Sequence, residues 1–270
     1  MDPIKQFELD REGHIAGLAN DSELRALTAS WLLRSLPHQY SYHFKALGRP
    51  IIQYPQDMVA IQELIWEVRP DLVIEAGIAH GGSLVLSAAS LAMLDYCDAA
   101  EQGETLDPRA SPRCVLGIDI DIREHNRVAI EAHPLAHKIH MISGSSVAKE
   151  IIAKVYEFAS AFERILIILD SNHTHEHVLA ELEAYAPLTS RGSYCVVFDT
   201  IVEDLPADLY PDRPWGPGDN PKTAVWEYLR RIESTEAKGT DGAPLSFEID
   251  RHIENKLLIT VAPDGYLRRL

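Results

Sequence analysis

An alternation between short apolar runs and helix-like segments constrains the fold of this chain more than any other feature of its sequence. The apolar runs lie at residues 71–77, 114–121, 140–144, 164–170 and 193–199, with amphipathic segments at 83–94, 147–158 and 175–186. A strand that is apolar at successive positions is buried on both faces, and such strands alternate with helices in parallel sheets. The sequence therefore predicts an α/β fold with a mostly parallel sheet and helices on both faces.

The N-terminal region has a different pattern. Residues 22–35 carry apolar side chains at a helical spacing, and several aromatic residues follow before the first apolar run. We expect residues 1–50 to form an N-terminal helical extension and residues 51–270 to form the main domain. Such an extension often covers either a neighbouring subunit or the acceptor site, and we also expect a homo-oligomer.

Two features are predicted in the C-terminal third. Proline and glycine crowd residues 206–221, which indicates a long loop or lid. Residues 247–250 and 256–262 have the composition of a closing pair of strands.

The composition excludes several classes of partner. The formal net charge of −16 disfavours nucleic acids and anionic membrane surfaces, which attract clustered lysine and arginine. The three cysteines are widely spaced, which favours a reducing compartment over a disulfide framework. The chain shows no signal-peptide pattern and no apolar stretch of about 20 residues, so we expect a cytoplasmic protein without a membrane span.

A glycine-containing loop follows the first apolar strand, where parallel sheets bind their ligands. It contains Glu75, Gly77, His80, Gly81 and Ser83, in the order E-A-G-I-A-H-G-G-S. Glycine allows a sharp turn and a close approach of backbone to ligand, and the following helix offers free N–H groups. The spacing is not G-x-G-x-x-G, so it does not indicate a dinucleotide. It is closer to the first motif of class I methyltransferases, whose loop faces the methionine part of S-adenosylmethionine.

Two further loops are candidates for the rest of this cofactor. An acid at the end of the second strand binds ribose hydroxyls in related sheets, and Asp119 or Asp121 stands in that position. The small residues after the third strand, including Ser145 and Ser146, are suited to border the adenine ring. Ser146 is equally suited to cap the helix that follows.

Polar residues at the ends of the fourth and fifth strands predict the chemical part of the site. Asp170 and Asp199 each end an apolar strand, where a carboxylate needs solvent, a hydrogen-bonding shell or a cation. Two such carboxylates suit Mg²⁺, although Asp199 would also serve as a turn residue. We expect His173 to accept a proton, with Asp170 beside it, and His175 and His177 to be surface or helix-packing residues.

Together these segments resemble the cephalosporin hydroxylase/rhamnosyl O-methyltransferase family. The resemblance extends from about residue 40 to 270 and rests on IEAGIAHGGS, GIDID, ILDSNHTHEHVLAELEAY and the run from NPKTAVWEYL to the C-terminus. It implies a Rossmann-like class I methyltransferase fold that uses S-adenosylmethionine and Mg²⁺. It further implies that Asp119 holds the ribose and that Asp170 and Asp199 are metal ligands. The residues implied to contact the methionine part of the cofactor are Gly77, His80, Gly81 and Ser83.

One position departs from the family pattern. Members usually carry a Glu-Asp pair at the end of the fifth strand, whereas this chain has Phe198 before Asp199. We therefore expect metal binding to be weaker than in relatives, or absent, unless Glu203 or Asp204 replaces the missing acid.

The expected activity is O-methylation of a small hydroxylated molecule, a sugar or a natural-product scaffold. The hydroxyl oxygen attacks the sulfonium methyl group in line, with Mg²⁺ lowering the hydroxyl pKa. A cephalosporin-type hydroxylase and a non-catalytic cofactor-binding protein are the alternatives. The sequence does not specify which hydroxylated molecule is the acceptor.

Overall fold

The apolar runs form one seven-stranded sheet in a computed structural model that describes residues 2–270. Nine strands are present in the described residues: β1 (Phe44–Ala46), β2 (Arg49–Ile51), β3 (Leu72–Ala76), β4 (Cys114–Asp119), β5 (Ile139–Ser143), β6 (Ile165–Leu169), β7 (Tyr194–Val197), β8 (Phe247–Ile249) and β9 (Tyr266–Arg269). The large sheet has the order β5-β4-β3-β6-β7-β9-β8, and β1 and β2 form a separate antiparallel hairpin. The five strands from β5 to β7 are parallel, and β8 and β9 are antiparallel.

Helices cover both faces of the large sheet. They are α1 (Pro3–Asn20), α2 (Ser22–Ser35), α3 (Pro55–Val68), α4 (Gly82–Gln102), α5 (Glu124–Glu131), α6 (Lys149–Ala159), α7 (His175–Tyr185), α8 (Pro221–Ser234) and α9 (Arg251–Leu257). Successive side chains of a strand point to opposite faces, so Leu72 and Ile74 pack with α6, α7 and α8, whereas Val73 packs with α3 and α4. The predicted mostly parallel sheet with helices on both faces, preceded by N-terminal helices, is confirmed.

Helix α4 is long and apolar enough to cross a membrane by length and composition alone. Its apolar residues Leu84, Val85, Ala88 and Leu91 are fully buried in the core beside α3. This is the packing of a core helix rather than of a membrane span.

The predicted closing strands are only partly correct. The first forms β8, but residues 256–262 are not a strand, and the edge of the sheet is completed by β9 instead. Residues Arg251–Leu257 form α9, because the side chain of Asp250 accepts hydrogen bonds from the first free N–H groups of that helix, those of His252 and Ile253. The segment that follows is held by buried Asp57 of α3, whose carboxylate accepts hydrogen bonds from Thr260 and from the Val261 N–H.

The N-terminal helices are attached by few buried contacts. Asp2 and Asp21 cap α1 and α2, and Ile15 is the one buried residue of α1. The hairpin of β1 and β2 follows these helices and packs against the start of α4. At Gly82, a Cβ atom would lie 2.2 Å from the carbonyl oxygen of Pro50, so the hairpin approaches the glycine-containing loop closely.

Candidate active site

The glycine-containing loop connects β3 to α4 at the carboxyl edge of the sheet. Gly77 has a φ of 101°, and a Cβ atom there would lie 2.0 Å from the carbonyl oxygen of Asp170. Gly81 has a φ of 79°, and its Cβ would lie 2.4 Å from a methyl carbon of Ile130. Glycine is therefore required at both positions. The loop after β3 and the loop after β6 touch each other, which places the predicted cofactor and metal regions side by side.

Asp119 holds the glycine-containing loop in place. One carboxylate oxygen accepts hydrogen bonds from the N–H groups of Ile78 at 2.8 Å and Ala79 at 3.2 Å. The other oxygen accepts one from the N–H of Asp121 at 3.0 Å, and the side chain of Asp121 itself points to solvent. Both carboxylate oxygens of Asp119 thus accept hydrogen bonds from the backbone of the two loops, and Asp121 is exposed beside them.

Two residues that the sequence did not single out brace the same loop. Arg49, on the β1–β2 hairpin, donates from Nε to the carbonyl oxygen of His80 at 3.0 Å and from Nη2 to the side-chain oxygen of Asn126 at 3.1 Å. Asn126 donates in turn to the carbonyl oxygen of Ala79 at 2.8 Å. Arg49 is 31 residues from His80, and Asn126 is 47 residues from Ala79, so no local sequence motif indicates these contacts.

Glu75 lies beneath the loop rather than on the surface of the cleft. It is fully buried and accepts a hydrogen bond from the Ser83 hydroxyl at the start of α4. Its second oxygen is buried without a partner among the described residues. Burial raises the pKa of Glu75 to about 8, because the charged form is poorly solvated there.

The loops after β4 and β5 lie at the same carboxyl edge of the sheet as the glycine-containing loop, because β3, β4 and β5 are adjacent parallel strands. Ile120 follows Asp119 and leaves 73% of its surface exposed, an apolar side chain that the sequence analysis did not consider. Ser145 is half-buried, and Ser146 is buried with its hydroxyl donating to Glu181 at 2.5 Å. An exposed apolar side chain beside small polar ones suits a flat ring such as adenine.

Asp170, His173 and Asp199 converge at the ends of β6 and β7. One ligand atom from each lies within 4.8 Å of the other two. His173 Nε2 lies 3.0 Å from a carboxylate oxygen of Asp199 and 4.0 Å from one of Asp170. This cluster of one histidine and two carboxylates fits a hard divalent cation that keeps several waters. It is the reverse of the two histidines and one carboxylate typical of non-haem iron oxygenases.

The electrostatics of this cluster favour a cation. Burial and then the charge of Asp199 raise the pKa of Asp170 well above its usual range, and Glu75 and Glu181 add to the effect. Burial lowers the pKa of His173, but Asp199 and Asp170 outweigh it and raise the pKa to about 9. The carboxylates of Asp170 and Asp199 thus favour a positive charge at this point, which His173 supplies in its protonated form.

The acids considered as substitutes for the missing family residue are not part of this cluster. Glu203 accepts hydrogen bonds from the Gly218 N–H and the Asn220 side chain, and Asp204 pairs with Lys222. Phe198 is buried in the core against the sheet, so it offers no ligand. No acid of the described residues therefore replaces the missing family acid, and the third member of the cluster is His173.

The remaining two histidines of the loop have other contacts. His175 Nδ1 lies 2.8 Å from the Thr223 hydroxyl, and its Nε2 lies 3.4 Å from Glu227, both on α8. His177 contacts Ser146 and Glu181. The sequence predicts surface or helix-packing roles for both histidines, and these contacts are of the helix-packing kind.

A cavity of about 700 Å³ opens directly over the acidic cluster. Trp215, in the proline- and glycine-rich segment, has its ring centroid 5.5 Å from that of His173 and 5.4 Å from that of Tyr210. Residues of α2 and of the turn that follows it form the opposite wall; they are Leu32, Leu36, Tyr40 and Tyr42. The lid and the N-terminal helices thus border a cavity that contains several aromatic side chains above two carboxylates and an imidazole.

The strand order, the glycine-containing loop, the acid after the second parallel strand and the acidic cluster together define an S-adenosylmethionine-dependent methyltransferase. Comparison with known proteins identifies the family. The model of the rhamnosyl O-methyltransferase/CmcI family matches residues 38–270, and the chain belongs to this family. It is accordingly an S-adenosylmethionine-dependent O-methyltransferase.

Individual relatives show the same likeness. The rhamnosyl O-methyltransferase of Mycobacterium tuberculosis (strain ATCC 25618 / H37Rv) is 30% identical over 217 residues, which cover 79% of this chain and 73% of the relative. That of Mycobacterium leprae (strain TN) is 28% identical over 225 residues, covering 83% and 82%.

Two solved structures show a more distant likeness. CalS11, a TDP-rhamnose 3'-O-methyltransferase of calicheamicin biosynthesis, has a TM-score of 0.47 and 17% identity, covering 100% of this chain and 95% of its own. CmcI with Mg and S-adenosylmethionine has a TM-score of 0.48 and 18% identity, covering 85% and 77%.

Proposed function

We propose that this enzyme methylates a hydroxyl group of a sugar or a sugar-bearing natural product, and that Mg²⁺ assists the reaction. The observation that carries the proposal is the convergence of Asp170, His173 and Asp199 beside the glycine-containing loop and under an aromatic cavity. The relatives named as rhamnosyl O-methyltransferases support a sugar acceptor.

The cofactor residues are proposed from their places around the cleft. The loop from Gly77 to Gly81, with His80 and Ser83, takes the methionine part, and Glu75 supports it from below. Asp119 and Asp121 lie on the ribose side, whereas Ile120, Ser145 and Ser146 border the adenine. The first turn of α4 directs its free N–H groups at the same space.

The chemical step is assigned to the acidic cluster. The acceptor oxygen attacks the methyl carbon in line with the sulfur, so a C–O bond forms while the C–S bond breaks and S-adenosylhomocysteine leaves. His173 accepts the hydroxyl proton in its neutral form, which becomes the main form above a pH of about 9, and its contact with Asp199 orients the ring. Asp170 and Asp199 hold Mg²⁺, which when bound supplies Lewis acidity to the acceptor oxygen.

The aromatic walls position the acceptor. Trp215 and Tyr210 from the lid face Tyr42 and Tyr40 from the N-terminal side. Flat apolar rings pack against the C–H faces of a sugar, while the polar floor receives its hydroxyls. Most of the rate acceleration then comes from holding oxygen, carbon and sulfur in line.

A radiolabelled methyl-transfer assay tests this function. The assay supplies labelled S-adenosylmethionine and Mg²⁺ to a panel of rhamnose-bearing glycosides, together with deoxy analogues that lack one hydroxyl each. We expect transfer to one hydroxyl position and none to the analogue that lacks it. Absence of transfer to every glycoside, combined with transfer to simple phenols, would contradict a sugar acceptor.

We propose that the protein is a cytoplasmic homo-oligomer with an N-terminal extension over residues 1–50. Ile4 is 74% exposed and Phe7 is 65% exposed on α1, a helix with little of its surface buried by this chain. A neighbouring copy that covers these side chains would remove them from water. Light scattering of the wild type and of an Ile4→Ser/Phe7→Ser variant tests this: a wild-type mass of one chain contradicts it.

A further inference from the structure

A buried carboxylate connects the two halves of the candidate site. Glu181 lies on α7 and is fully buried. One of its oxygens accepts hydrogen bonds from the hydroxyls of Ser146 and Ser171, each at 2.5 Å. Ser146 belongs to the loop after β5, on the cofactor side, and Ser171 directly follows the metal-side residue Asp170.

The surroundings of Glu181 are unusual for a group that only stabilises the fold. His177 Nε2, at 3.3 Å, is the one side chain that forms an ion-pair contact with it in the described part of the chain. Its second oxygen is buried without a hydrogen-bond partner there. An apolar side chain of similar volume would avoid this desolvation cost, and such replacements are often neutral or stabilising.

The contacts do, however, fix two loops relative to one another. The Tyr185 hydroxyl, one turn further along α7, donates to the backbone oxygen of Ser146, so α7 holds that loop by both its backbone and its side chain. The glycine-containing loop touches the backbone of Asp170 from the other side. Glu181 therefore connects the Ser146 loop to Ser171 and to the metal-side residue next to it.

We propose that Glu181 is a positioning residue that couples cofactor binding to metal binding. This inference rests on the proposed function, because it requires the cofactor on the Ser146 side and Mg²⁺ at Asp170. When the cofactor is bound, the hydroxyls of Ser146 and Ser171 are both held by the same oxygen of Glu181. This fixes the position of the neighbouring Asp170 for metal binding. Each ligand thereby tightens the binding of the other by the same factor.

Calorimetry with S-adenosylhomocysteine, in EDTA and in saturating Mg²⁺, tests the coupling without measuring activity. The coupling is measured as the ratio of the Kd in EDTA to the Kd in Mg²⁺. For the wild type we expect a ratio of at least about five, which is the lower end of typical couplings. Glu181→Leu should bring this ratio close to one. Glu181→Gln should restore most of it, because the amide oxygen still accepts both hydroxyl hydrogen bonds.

Two further variants separate coupling from folding. Ser171→Ala removes only the metal-side contact, so it should lower the ratio while the Kd measured in EDTA stays within about twofold. His175→Gln, on the same helix but in contact with α8, is the matched control and should keep the wild-type ratio.

The outcomes distinguish the two proposals. A folded Glu181→Leu variant with the wild-type ratio overturns the coupling. If that variant does not fold, an unchanged ratio in the Ser171→Ala variant overturns it. A wild-type protein that binds both ligands independently also overturns it. A wild-type protein that fails to bind S-adenosylhomocysteine overturns the proposed cofactor site, and the coupling with it.

Discussion

Glu75 gives the protein a pH-dependent stability whose sign and size follow from the structure. The pKa of this carboxyl rises from 4.5 to about 8 in the folded chain because it is fully buried. Between these values the folded state retains a proton that the unfolded chain has released, so the free energy of unfolding falls as pH rises. Because a tenfold change in proton affinity corresponds to about 1.4 kcal/mol, the loss of stability between pH 4.5 and pH 8 is at most about 5 kcal/mol.

Glu75→Gln removes this titration while keeping the shape and an acceptor for the Ser83 hydroxyl. We expect the wild type and the variant to unfold at similar denaturant concentrations at pH 5, where the wild-type carboxyl is neutral. At pH 8.5 the variant should be more stable by a few kcal/mol, measured by urea unfolding without cofactor. Glu101→Gln, at an exposed position of α4, is the control, and its difference in stability from the wild type should not grow with pH in this way. An equal difference between wild type and Glu75→Gln at both pH values refutes the reasoning.

Three further predictions concern the site itself. Asp170→Asn should lower the rate of methyl transfer at least about 100-fold, as the loss of a transition-state stabiliser does. Glu203→Gln should lower the rate less than about tenfold, because Glu203 contacts only the lid. Equal losses of rate in the two variants would contradict this. Gly77→Ala should abolish S-adenosylhomocysteine binding in calorimetry because its Cβ collides with the Asp170 carbonyl, and Gly17→Ala, which has open space around it, should bind normally. Trp215→Ala should raise the acceptor KM about tenfold and leave the cofactor Kd unchanged; a steady-state analysis with unchanged KM would show that the lid does not contact the acceptor.

The sequence predicted the part of the molecule in which local pattern and position determine the structure. Apolar strands such as β6 have one stable place, the middle of a sheet covered on both sides, and parallel strands bring their carboxyl ends to one edge. Asp170 and Asp199, each at the end of such a strand, were therefore predicted to lie together. The cluster of the described structure brings His173 to the same point.

The parts that the sequence did not predict depend on contacts between distant residues. Arg49 reaches the glycine-containing loop from a short hairpin, and the hydrogen bonds of Glu181 join two loops through a buried side chain. Arg49 begins the short strand β2, and Glu181 lies within the family segment ILDSNHTHEHVLAELEAY, but neither position indicates which distant residue the side chain contacts. The error at residues 256–262 has a different cause: a mixed run such as KLLITVA favours a strand locally, but α9 and the anchor at Asp57 place it in a turn.

The site residues are tested most directly by a crystal structure with S-adenosylhomocysteine and Mn²⁺, an anomalous scatterer that accepts the same oxygen ligands as Mg²⁺. The account predicts the cofactor against the loop of Gly77, with its ribose beside Asp119. It predicts one anomalous peak within about 2.5 Å of carboxylate oxygens of both Asp170 and Asp199. Bound cofactor with no metal at this cluster, or with metal elsewhere, would contradict the metal-assisted mechanism. Cofactor density away from the glycine-containing loop would contradict the assignment of the site as a whole.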